Sequence, residues 1–447
     1  MSDFNFRYCA SFLVEAATAL KIGTGETGLN IDELAATDAN GLPVIPGTAI
    51  CGVLRHTFEA KMAKEFFGYQ AGKNGKGSRL IFSGARFVGK KGKVIDGLCP
   101  VDYSDLFYSK FKKMAIRDHC RINHRAVADI DQHGKFDSQV VFKGCRFVFD
   151  VELIGNEMDD CFWKTLLSTL NSELFRIGGG TRKGFGELKV VSMEEQTYSL
   201  EVEEELQAYL DKSSKLTIPI GENVPELEPE NFFLYELKLL PDDFFIFSSG
   251  YGDMDVDSIG KKESFIEWNN GKPSFSSEKI IVPATSVKGV ISHRTAFHYN
   301  RLAGNYANRV DTPEDYINEK NLAVKALFGF AKDSDRGEDH GQRGKVLFSD
   351  CFMENTEEKI FNHVAVDRFT GGALDGALFD EKVVHGKNEI TLKIVVENEA
   401  FNGDPKIKEA FELALKDITT GMLPLGGSTM RGHGCFNGKL IKNGEEI

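Results

Sequence analysis

The sequence predicts an α+β protein built from two tandem units, each with the element order β, helix, β, β, helix, β. A glycine-rich stretch occurs twice, at residues 176–190 and 425–435. The same series of motifs precedes both copies in the same order, which indicates a tandem duplication. Alternating apolar residues predict the strands, and apolar residues four apart predict the helices. Each unit is therefore expected to form a ferredoxin-like (RRM-like) sheet with both helices on one face.

The first half begins with a predicted strand at residues 8–22 and a polar loop at residues 29–38. Thr48 is a suitable N-cap for a helix in which apolar residues recur every four positions. These residues are Ile50, Leu54, Phe58, Met62 and Phe66. Two further strands are predicted at residues 79–85 and 140–153. A second helix, predicted at residues 161–175, leads into the first glycine-rich stretch.

The second half repeats this order. A strand at residues 232–240 precedes a loop with three aspartates, and the shared motifs then follow in pairs. The pairs are residues 45–52 with 281–289, 66–68 with 327–329, 79–83 with 345–349, the region around 124–125 with 363–372, and the two glycine-rich stretches. So many ordered matches indicate duplication, and we predict one domain at residues 1–193 and another at residues 232–447.

An acidic linker is predicted between the domains, at residues 194–231. From Glu194 to Glu230 it holds eleven acidic residues against Lys212 and Lys215, together with three prolines and a short helical pattern at residues 199–210. Much of the net charge of −13 therefore lies in this one segment. Local basic clusters, and not the total charge, decide whether nucleic acid can bind. The net charge does not exclude an RNA partner.

Composition and cysteine spacing favour a cytoplasmic protein with no membrane partner. The 447 residues, 41% of them hydrophobic, include no apolar run of about 18 residues and no signal pattern. The eight cysteines are scattered without any Cys-x-x-Cys pair, which favours a reducing compartment. Cys99, His119, Cys120 and His124 match no standard zinc spacing, so zinc is not expected.

The glycine-rich stretches are candidate phosphate-binding loops. When Thr181 is aligned with Thr429, Lys183 falls on Arg431 and a glycine follows each cation. Glycines allow close backbone approach to a ligand, and the cations attract phosphate. The candidate residues are Gly179, Gly180, Arg182, Lys183, Gly184, Gly427, Arg431 and Gly432. The alternative is that the glycines serve turn geometry alone.

Two helix cations extend this set. Arg55 and Lys288 are expected early in the equivalent helices, whose N-terminal ends favour anions. The alternative for both is a solvated helix face.

These motifs together resemble the RAMP superfamily, and within it the backbone subunits of type III CRISPR effector complexes. They are Ile-Gly-Thr-Gly at residues 22–25, Asp32, Leu-Pro-Val-Ile-Pro-Gly-Thr at 42–48, the Phe-Gly turn, the Leu-Ile-Phe-Ser strand and the Gly-Gly-x-Thr-Arg-Lys-Gly-x-Gly loop. The resemblance covers nearly the whole chain, once per half. It implies an RRM-like fold that grips guide RNA (crRNA), contacts other RAMP subunits and cuts the paired target RNA. Two such domains in one chain resemble the fused subunits of III-D-like complexes.

The resemblance places the cleaving aspartate in the loop after the first strand. Asp32 fits that place in the first half, with Asp38 close behind. In the second half the loop offers Asp253, Asp255 and Asp257, of which Asp257 is nearest to the same register and Asp255 is second. This half departs from the family pattern, because Pro-Ala-Thr replaces Pro-Gly-Ser/Thr. The alternative to a catalytic role is that Asp32 caps a turn on a solvated loop.

Further ligands follow from the same resemblance. Asp32 and Asp257 are expected to hold a divalent cation (Mg²⁺ or Mn²⁺) near the scissile phosphate. The paired basic segments around residues 124–125 and 363–372 add Arg125 and Arg368 to the expected RNA contacts.

Two other functions compete with an RNA-guided endoribonuclease. The first is an RNA-binding scaffold of the same fold with inert aspartates. The second is a nucleotide-dependent metabolic enzyme that uses Gly-x-Gly-x-x-Gly at residues 23–28. No helix pattern follows that motif directly, and Glu26 would repel a pyrophosphate, so the nucleotide enzyme is disfavoured.

Overall fold

The computed structural model describes residues 4–29, 31–120, 122, 135–221, 224, 231–332 and 340–447. The first repeat contains the strands β1 (Phe6–Ala16), β2 (Tyr69–Ala71), β3 (Asn74–Lys76), β4 (Leu80–Phe82), β5 (Arg86–Phe87), β6 (Ala115–Cys120), β7 (Lys135–Val140), β8 (Arg146–Gly155) and β9 (Leu188–Ser199). Its helices are α1 (Gly47–Thr57), α2 (Ala60–Phe66), α3 (Leu106–Ser109) and α4 (Asp160–Leu170).

Helix α5 (Glu203–Leu210) lies between the repeats. The second repeat contains the helices α6 (Ala284–Ala303), α7 (Leu322–Phe328) and α8 (Pro405–Thr419). Its longer strands are β10 (Phe232–Pro241), β13 (Ile266–Asn269), β14 (Lys272–Phe275), β15 (Lys279–Val282), β18 (Val346–Phe348), β19 (Cys351–Met353), β20 (Glu357–Val366), β21 (Ala373–His385), β22 (Ile390–Glu397) and β23 (Phe436–Lys442). The two-residue strands are β11 (Ser258–Ile259), β12 (Lys262–Glu263), β16 (Gly329–Phe330), β17 (Gln342–Arg343) and β24 (Glu445–Glu446).

Both repeats have the sheet topology of a ferredoxin-like fold. The first sheet has the strand order β4-β8-β1-β9, and the second has β18-β22-β10-β23. All neighbouring strands in these two paths are antiparallel. In each case the first and third strands of the unit are central, and the helices connect strands that are not neighbours. The predicted fold class is confirmed.

The helices cover one face of each sheet because their apolar residues fall on one side. In α8 the buried residues are Ile407, Ala410, Phe411, Ala414, Leu415 and Ile418. Pro405 at the first position and the Asp404 side chain, which accepts from the Lys406 N–H at 3.0 Å, fix the start of this helix. In α4 the buried set includes the fully enclosed Trp163.

The helix predicted from residue 48 to 66 is divided in two. Phe58 is extended (φ −95°, ψ 152°) and separates α1 from α2. Its ring packs on Phe67 and Phe162, with centroids 5.8 and 5.2 Å apart. The spacing of four apolar residues is therefore compatible with a break, since both helices still direct those residues into the same core.

The segment after the first sheet packs back onto that sheet. Strand β9 continues to Ser199, so its last residues lie inside the segment predicted as linker. Leu216 and Ile218 pack against Leu13 and Val148 on the face opposite α1 and α4. Among the described residues, no helix is long and apolar enough to cross a membrane. The domain limits themselves stay a prediction.

A hairpin of the second repeat, β13–β14, packs into the first repeat. Ile266 joins the buried core of the first repeat, and Phe275 contacts Phe107 and Phe111 with centroids 5.4 and 5.9 Å apart. The Trp268 Nε1–H donates to the Gly144 carbonyl at 2.7 Å. The two repeats therefore share buried apolar contacts.

Candidate functional site

The candidate site occurs once per repeat, where three segments meet. They are an aspartate loop after the first strand (residues 23–35 and 248–260), a β-hairpin (β6–β7, the first hairpin, and β20–β21, the second hairpin) and a glycine loop (residues 176–187 and 424–435). Hydrogen bonds show that the aspartate loops are equivalent. The Thr24 N–H donates to the Leu34 carbonyl at 3.1 Å. In the second repeat the Ser249 N–H donates to the Ile259 carbonyl at 2.9 Å.

This equivalence places Asp32 and Asp257 at the same position. Both are exposed. Asp32 Oδ2 accepts a hydrogen bond from the Asp137 N–H at 3.0 Å. Asp257 Oδ2 accepts one from the Asp380 N–H, also at 3.0 Å. Each predicted catalytic carboxylate is therefore attached to the second strand of its hairpin; whether it is catalytic stays a prediction.

The other aspartates of these loops have different surroundings. The Lys382 ammonium donates to Asp253 at 2.6 Å and lowers the pKa of that carboxyl to about 2. Asp253 also accepts from the Asp255 N–H at 2.9 Å and so fixes the turn. Asp255 is exposed, and its equivalent, Asn30, lies outside the described residues. Asp38 likewise caps a turn, where it accepts from the Asn40 N–H at 2.9 Å.

The first hairpin carries an aromatic stack beside the aspartate loop. His119 and Phe136 stack with centroids 4.7 Å apart, and Lys183 Nζ lies 4.7 Å from the centroid of Phe136. Burial, helped by the Lys183 and Lys21 charges, lowers the pKa of His119 to about 4. This imidazole is therefore neutral at physiological pH and offers a flat, uncharged face.

The second hairpin repeats the stack. His363 and Phe379 lie with centroids 4.8 Å apart, and the Arg431 guanidinium lies 4.6 Å from the centroid of Phe379. His363 Nε2 is also 2.8 Å from Glu381 Oε1. Sequence reasoning missed both phenylalanines. The signal for them was a Phe-Asp dipeptide at residues 136–137 and again at 379–380.

The first glycine loop lies between the two repeats. Arg182 Nε donates to the Gly344 carbonyl at 2.8 Å, and its Nη2 pairs with Glu397 at 2.9 Å. Burial lowers the pKa of Arg182 to about 10, and Glu397 opposes that shift. A Cβ on Gly184 would collide with the side chain of Ala284. Arg182 and Gly184 therefore serve the contact between the repeats, and we do not propose them as RNA contacts.

The second glycine loop is open to solvent. Met430, which is equivalent to Arg182, is 99% exposed. Arg431 is also exposed, and no atom of the described residues would lie within 4 Å of a Cβ on Gly432. The two glycine loops therefore share a backbone conformation, but the first lies between the repeats and the second faces solvent.

The other predicted glycines hold the loops against the segment that follows β1 or β10. The Gly179 N–H donates to the Lys21 carbonyl at 2.7 Å, and the Gly427 N–H donates to the Ile246 carbonyl at 2.7 Å. Gly180 has φ +68°, a conformation that favours glycine. These contacts support turn geometry as the role of Gly179, Gly180 and Gly427.

The two helix cations differ. Lys288 lies in the second turn of α6, and burial, together with the nearby charges of Lys183 and Arg182, lowers its pKa to about 8. Within the described part of the chain it makes no ion pair. Arg55, by contrast, lies in the last turn of α1 and not at its start as predicted. Its guanidinium donates to the Gly68 carbonyl at 2.6 Å, which fixes the turn after α2.

Of the two arginines predicted to contact RNA near the hairpins, the structure describes only Arg368. Arg368 is exposed at the end of the second hairpin. Arg125 and His124 lie outside the described residues.

Residues 23–28 lead into β-bridges at Glu33 and Ala35, and α1 begins only at Gly47, so no helix N-terminus adjoins that Gly-x-Gly-x-x-Gly motif.

The carboxylates of Asp32 and Asp257 are better placed to bind a divalent cation that keeps several water ligands than one that is coordinated by protein side chains alone. Over the residues that the structure describes, no three His, Cys, Asp or Glu side chains are grouped to hold a metal. Magnesium usually keeps several waters and takes one or two carboxylates together with substrate phosphates. The exposed carboxylates of Asp32 and Asp257 meet that lower requirement.

Comparison with protein families agrees with this duplicated architecture. The model of the RAMP superfamily matches residues 13–189 and again 258–437, one match within each repeat. The chain therefore belongs to the RAMP superfamily. Membership implies a CRISPR-associated, RNA-binding subunit, and the superfamily includes some ribonucleases. No curated protein matches the chain.

Proposed function

We propose that the chain is a guide-RNA-binding backbone subunit of a type III CRISPR effector complex, with two fused repeats as in III-D-like complexes. It cuts complementary target RNA at the aspartate loops. The observation that carries this proposal is the repetition of one site. In both repeats an exposed aspartate, a His–Phe stack and a cation of the glycine loop surround the base of a hairpin.

Three cations supply the RNA contacts in this proposal. Lys183 and Arg431 lie over aromatic rings, an arrangement that suits a phosphate beside a stacked base. Lys288 adds a positive charge at the junction of the repeats, close to Lys183. A phosphate there would relieve the repulsion between these cations. The contacts are to backbone phosphates, so they position RNA of any sequence.

Cleavage is assigned to Asp32 and Asp257. If a divalent cation is bound, the carboxylates of Asp32 and Asp257 would hold it near the scissile phosphate, where it would supply positive charge and help an attacking hydroxyl, such as the RNA 2′-OH, to lose its proton. The Asp137 and Asp380 N–H groups each donate to one carboxylate oxygen, Oδ2, and so hold each carboxylate beside its hairpin. With one such aspartate in each repeat, one chain makes two cuts.

An inert RNA-binding scaffold is the second candidate, and one observation favours it. The Asp32 N–H donates to Asp137 Oδ1 at 2.9 Å while Asp32 Oδ2 accepts from the Asp137 N–H. This reciprocal pair fixes the loop to the hairpin and gives Asp32 a structural role that needs no metal.

The test is to coexpress the chain with its complex subunits and a CRISPR array, and to incubate the purified complex with complementary RNA. We expect copurified guide RNA, cutting of the target in Mg²⁺ and no cutting in EDTA. Guide RNA without cutting would support the scaffold. A complex without RNA would contradict both candidates.

A further inference from the structure

A cavity of about 380 Å³ opens on the helical side of the second repeat, between α6, α7 and the start of α8. The described residues that line it belong to no aspartate loop, hairpin or glycine loop, so the proposed RNA contacts do not use it. Its lining includes Tyr299, Leu322, Lys345, Glu399, Asp404 and Ile407.

The cavity has an equivalent position in the first repeat, because the two repeats can be aligned residue by residue here. The paired strand segments identified from the sequence start with Arg79 and Lys345. Asp159 and Asp404 are the N-cap residues of α4 and α8, so the residues three positions later also correspond. The equivalent pairs are Arg79 with Lys345, Asp159 with Asp404, Phe162 with Ile407, and Phe66 with Leu327.

In the first repeat this position is filled by aromatic rings. Phe66 and Phe162 stack with centroids 3.5 Å apart, and the Arg79 guanidinium lies 4.7 Å from the Phe66 centroid. Phe4, which precedes β1, has its ring centroid 4.3 Å from the same guanidinium. Arg79 also pairs with the buried Asp159. A ring carried on the segment before β1 therefore completes the aromatic cluster.

The second repeat has no aromatic residue at these three positions. Leu327 and Ile407 occupy the positions of the two stacked rings. The register of β1 and β10 on their neighbouring strands gives Pro229 as the equivalent of Phe4, and Pro229 itself lies outside the described residues. Since protein interiors leave few voids larger than a water molecule, the replacement of stacked rings by smaller side chains accounts for the open cavity.

The charged groups around the cavity favour a neutral occupant. Asp404 Oδ2 accepts a hydrogen bond from the Tyr299 hydroxyl at 3.0 Å. Lys345 donates to Glu399 at 3.3 Å. Lys325, the other lysine of the lining, is offset by the second of these carboxylates, so the lining has no surplus positive charge to attract a phosphate. A flat group that enters this cavity is therefore better carried by protein than by nucleic acid.

We propose that the cavity binds the ring of a phenylalanine or tyrosine on an extended segment of a partner protein. The first repeat shows the mode of binding, because Phe4 enters from an extended segment in which the Asn5 carbonyl accepts from the Leu200 N–H at 2.7 Å. Leu322, which is 62% exposed, and Phe330 supply apolar contacts for the ring. Because the cavity is separate from the RNA contacts, the chain holds guide RNA and this partner at the same time.

The test titrates the full-length, nuclease-treated chain with a blocked peptide of residues 2–5, Ser-Asp-Phe-Asn. This peptide carries the ring that fills the equivalent position of the first repeat. The methyl NMR signals of Leu322 and Ala326 report on the cavity. We expect saturable shifts with a dissociation constant on the order of 1 mM, and binding about tenfold weaker or less for the peptide with Phe4→Ala.

Two variants of the chain obstruct the cavity in different ways. Ile407→Phe restores the ring found in the first repeat and fills the space. Leu322→Glu places a charge at the exposed rim, in the first turn of α7, where an acidic side chain is compatible with the helix. Each variant is expected to weaken peptide binding about tenfold or more. Leu210→Phe, which adds a ring to α5 at a residue that is 63% exposed, is the matched control and should bind as wild type does.

Saturable binding that is weakened by the alanine peptide and by both variants supports the proposal; if Ile407→Phe does not fold, Leu322→Glu alone decides. Shifts that do not saturate by about 10 mM peptide, or equal binding of the alanine peptide, overturn it. Uridine monophosphate that binds the same residues as tightly as the peptide would overturn a protein occupant. Because no RNA is present, the result does not depend on guide binding or cleavage.

Discussion

Lys288 offers the sharpest test of the proposed RNA contacts, because its charge is unfavourable in the free protein. Burial and two neighbouring cations lower its pKa from the ordinary 10.5 to about 8. Between pH 8 and 10.5 the unfolded chain binds more protons than the folded chain, so folding stability rises with pH in that window. At pH 7 the penalty is about 3 kcal/mol, and at pH 9.5 it is about 1.5 kcal/mol.

Lys288→Met keeps the length of the side chain and removes the charge. We expect this variant to be more stable than wild type at pH 7 by up to about 3 kcal/mol, with roughly half of that gain lost at pH 9.5. Denaturant unfolding at the two pH values measures the difference. Lys272→Met, at an exposed lysine of β14, is the control and should show no such dependence on pH.

The same variant should bind RNA more weakly. If Lys288 contacts a phosphate, its removal lowers the slope of log affinity against log salt by about 0.7. The wild-type affinity should also fall as pH rises through about 8, because only the protonated ammonium attracts phosphate. A variant that is more stable but binds RNA with an unchanged salt slope would refute the assignment of Lys288 as an RNA contact.

Three further predictions concern the other named residues. Arg182→Ala should lower folding stability by about 1–3 kcal/mol, since it removes the less exposed of the two cations that pair with Glu397. Arg343→Ala removes the other, 63% exposed partner of Glu397 and should cost less; equal effects in denaturant unfolding would contradict the interface role. Lys183→Ala and Arg431→Ala should each reduce the salt slope of RNA binding by about 0.7, and unchanged slopes would remove both cations from the proposed RNA path. His119 has its pKa lowered to about 4, so wild type should lose about 3 kcal/mol more stability than His119→Gln as pH falls from 6.5 to 4. His56→Gln, at an exposed histidine, is the control, and a parallel loss in both variants would contradict the buried imidazole of His119 as the cause.

The fold could be predicted from the sequence because the same motifs occur in the same order in both halves. This order allows one repeat to be aligned with the other. Counting from the paired Gly-x-Gly gave Asp257 as the aspartate nearest to the Asp32 register, and the hydrogen bonds of the two loops pair these two residues. Periodicity predicted the helices, but it could not show the break at Phe58. An extended residue between two helices leaves the spacing of apolar residues intact.

The surroundings of the glycine loops could not be predicted in the same way. Arg182 and Lys183 are adjacent cations in the sequence, yet one pairs with Glu397 across the repeats and the other lies over Phe136. Which side chain faces a neighbouring repeat depends on how the two sheets pack, and local patterns do not contain that information. Arg55 shows the same limit, since its carbonyl partners follow from the turn after α2.

The most direct test of the central claim, that each repeat contains its own cutting aspartate, maps the cuts in target RNA. The measurement compares the wild-type complex with Asp32→Asn, Asp257→Asn and the double variant, all loaded with the same guide. We expect each single variant to lose its own set of cuts while guide binding is unchanged, and the double variant to cut nowhere. Cutting at every original position by the double variant would contradict the account.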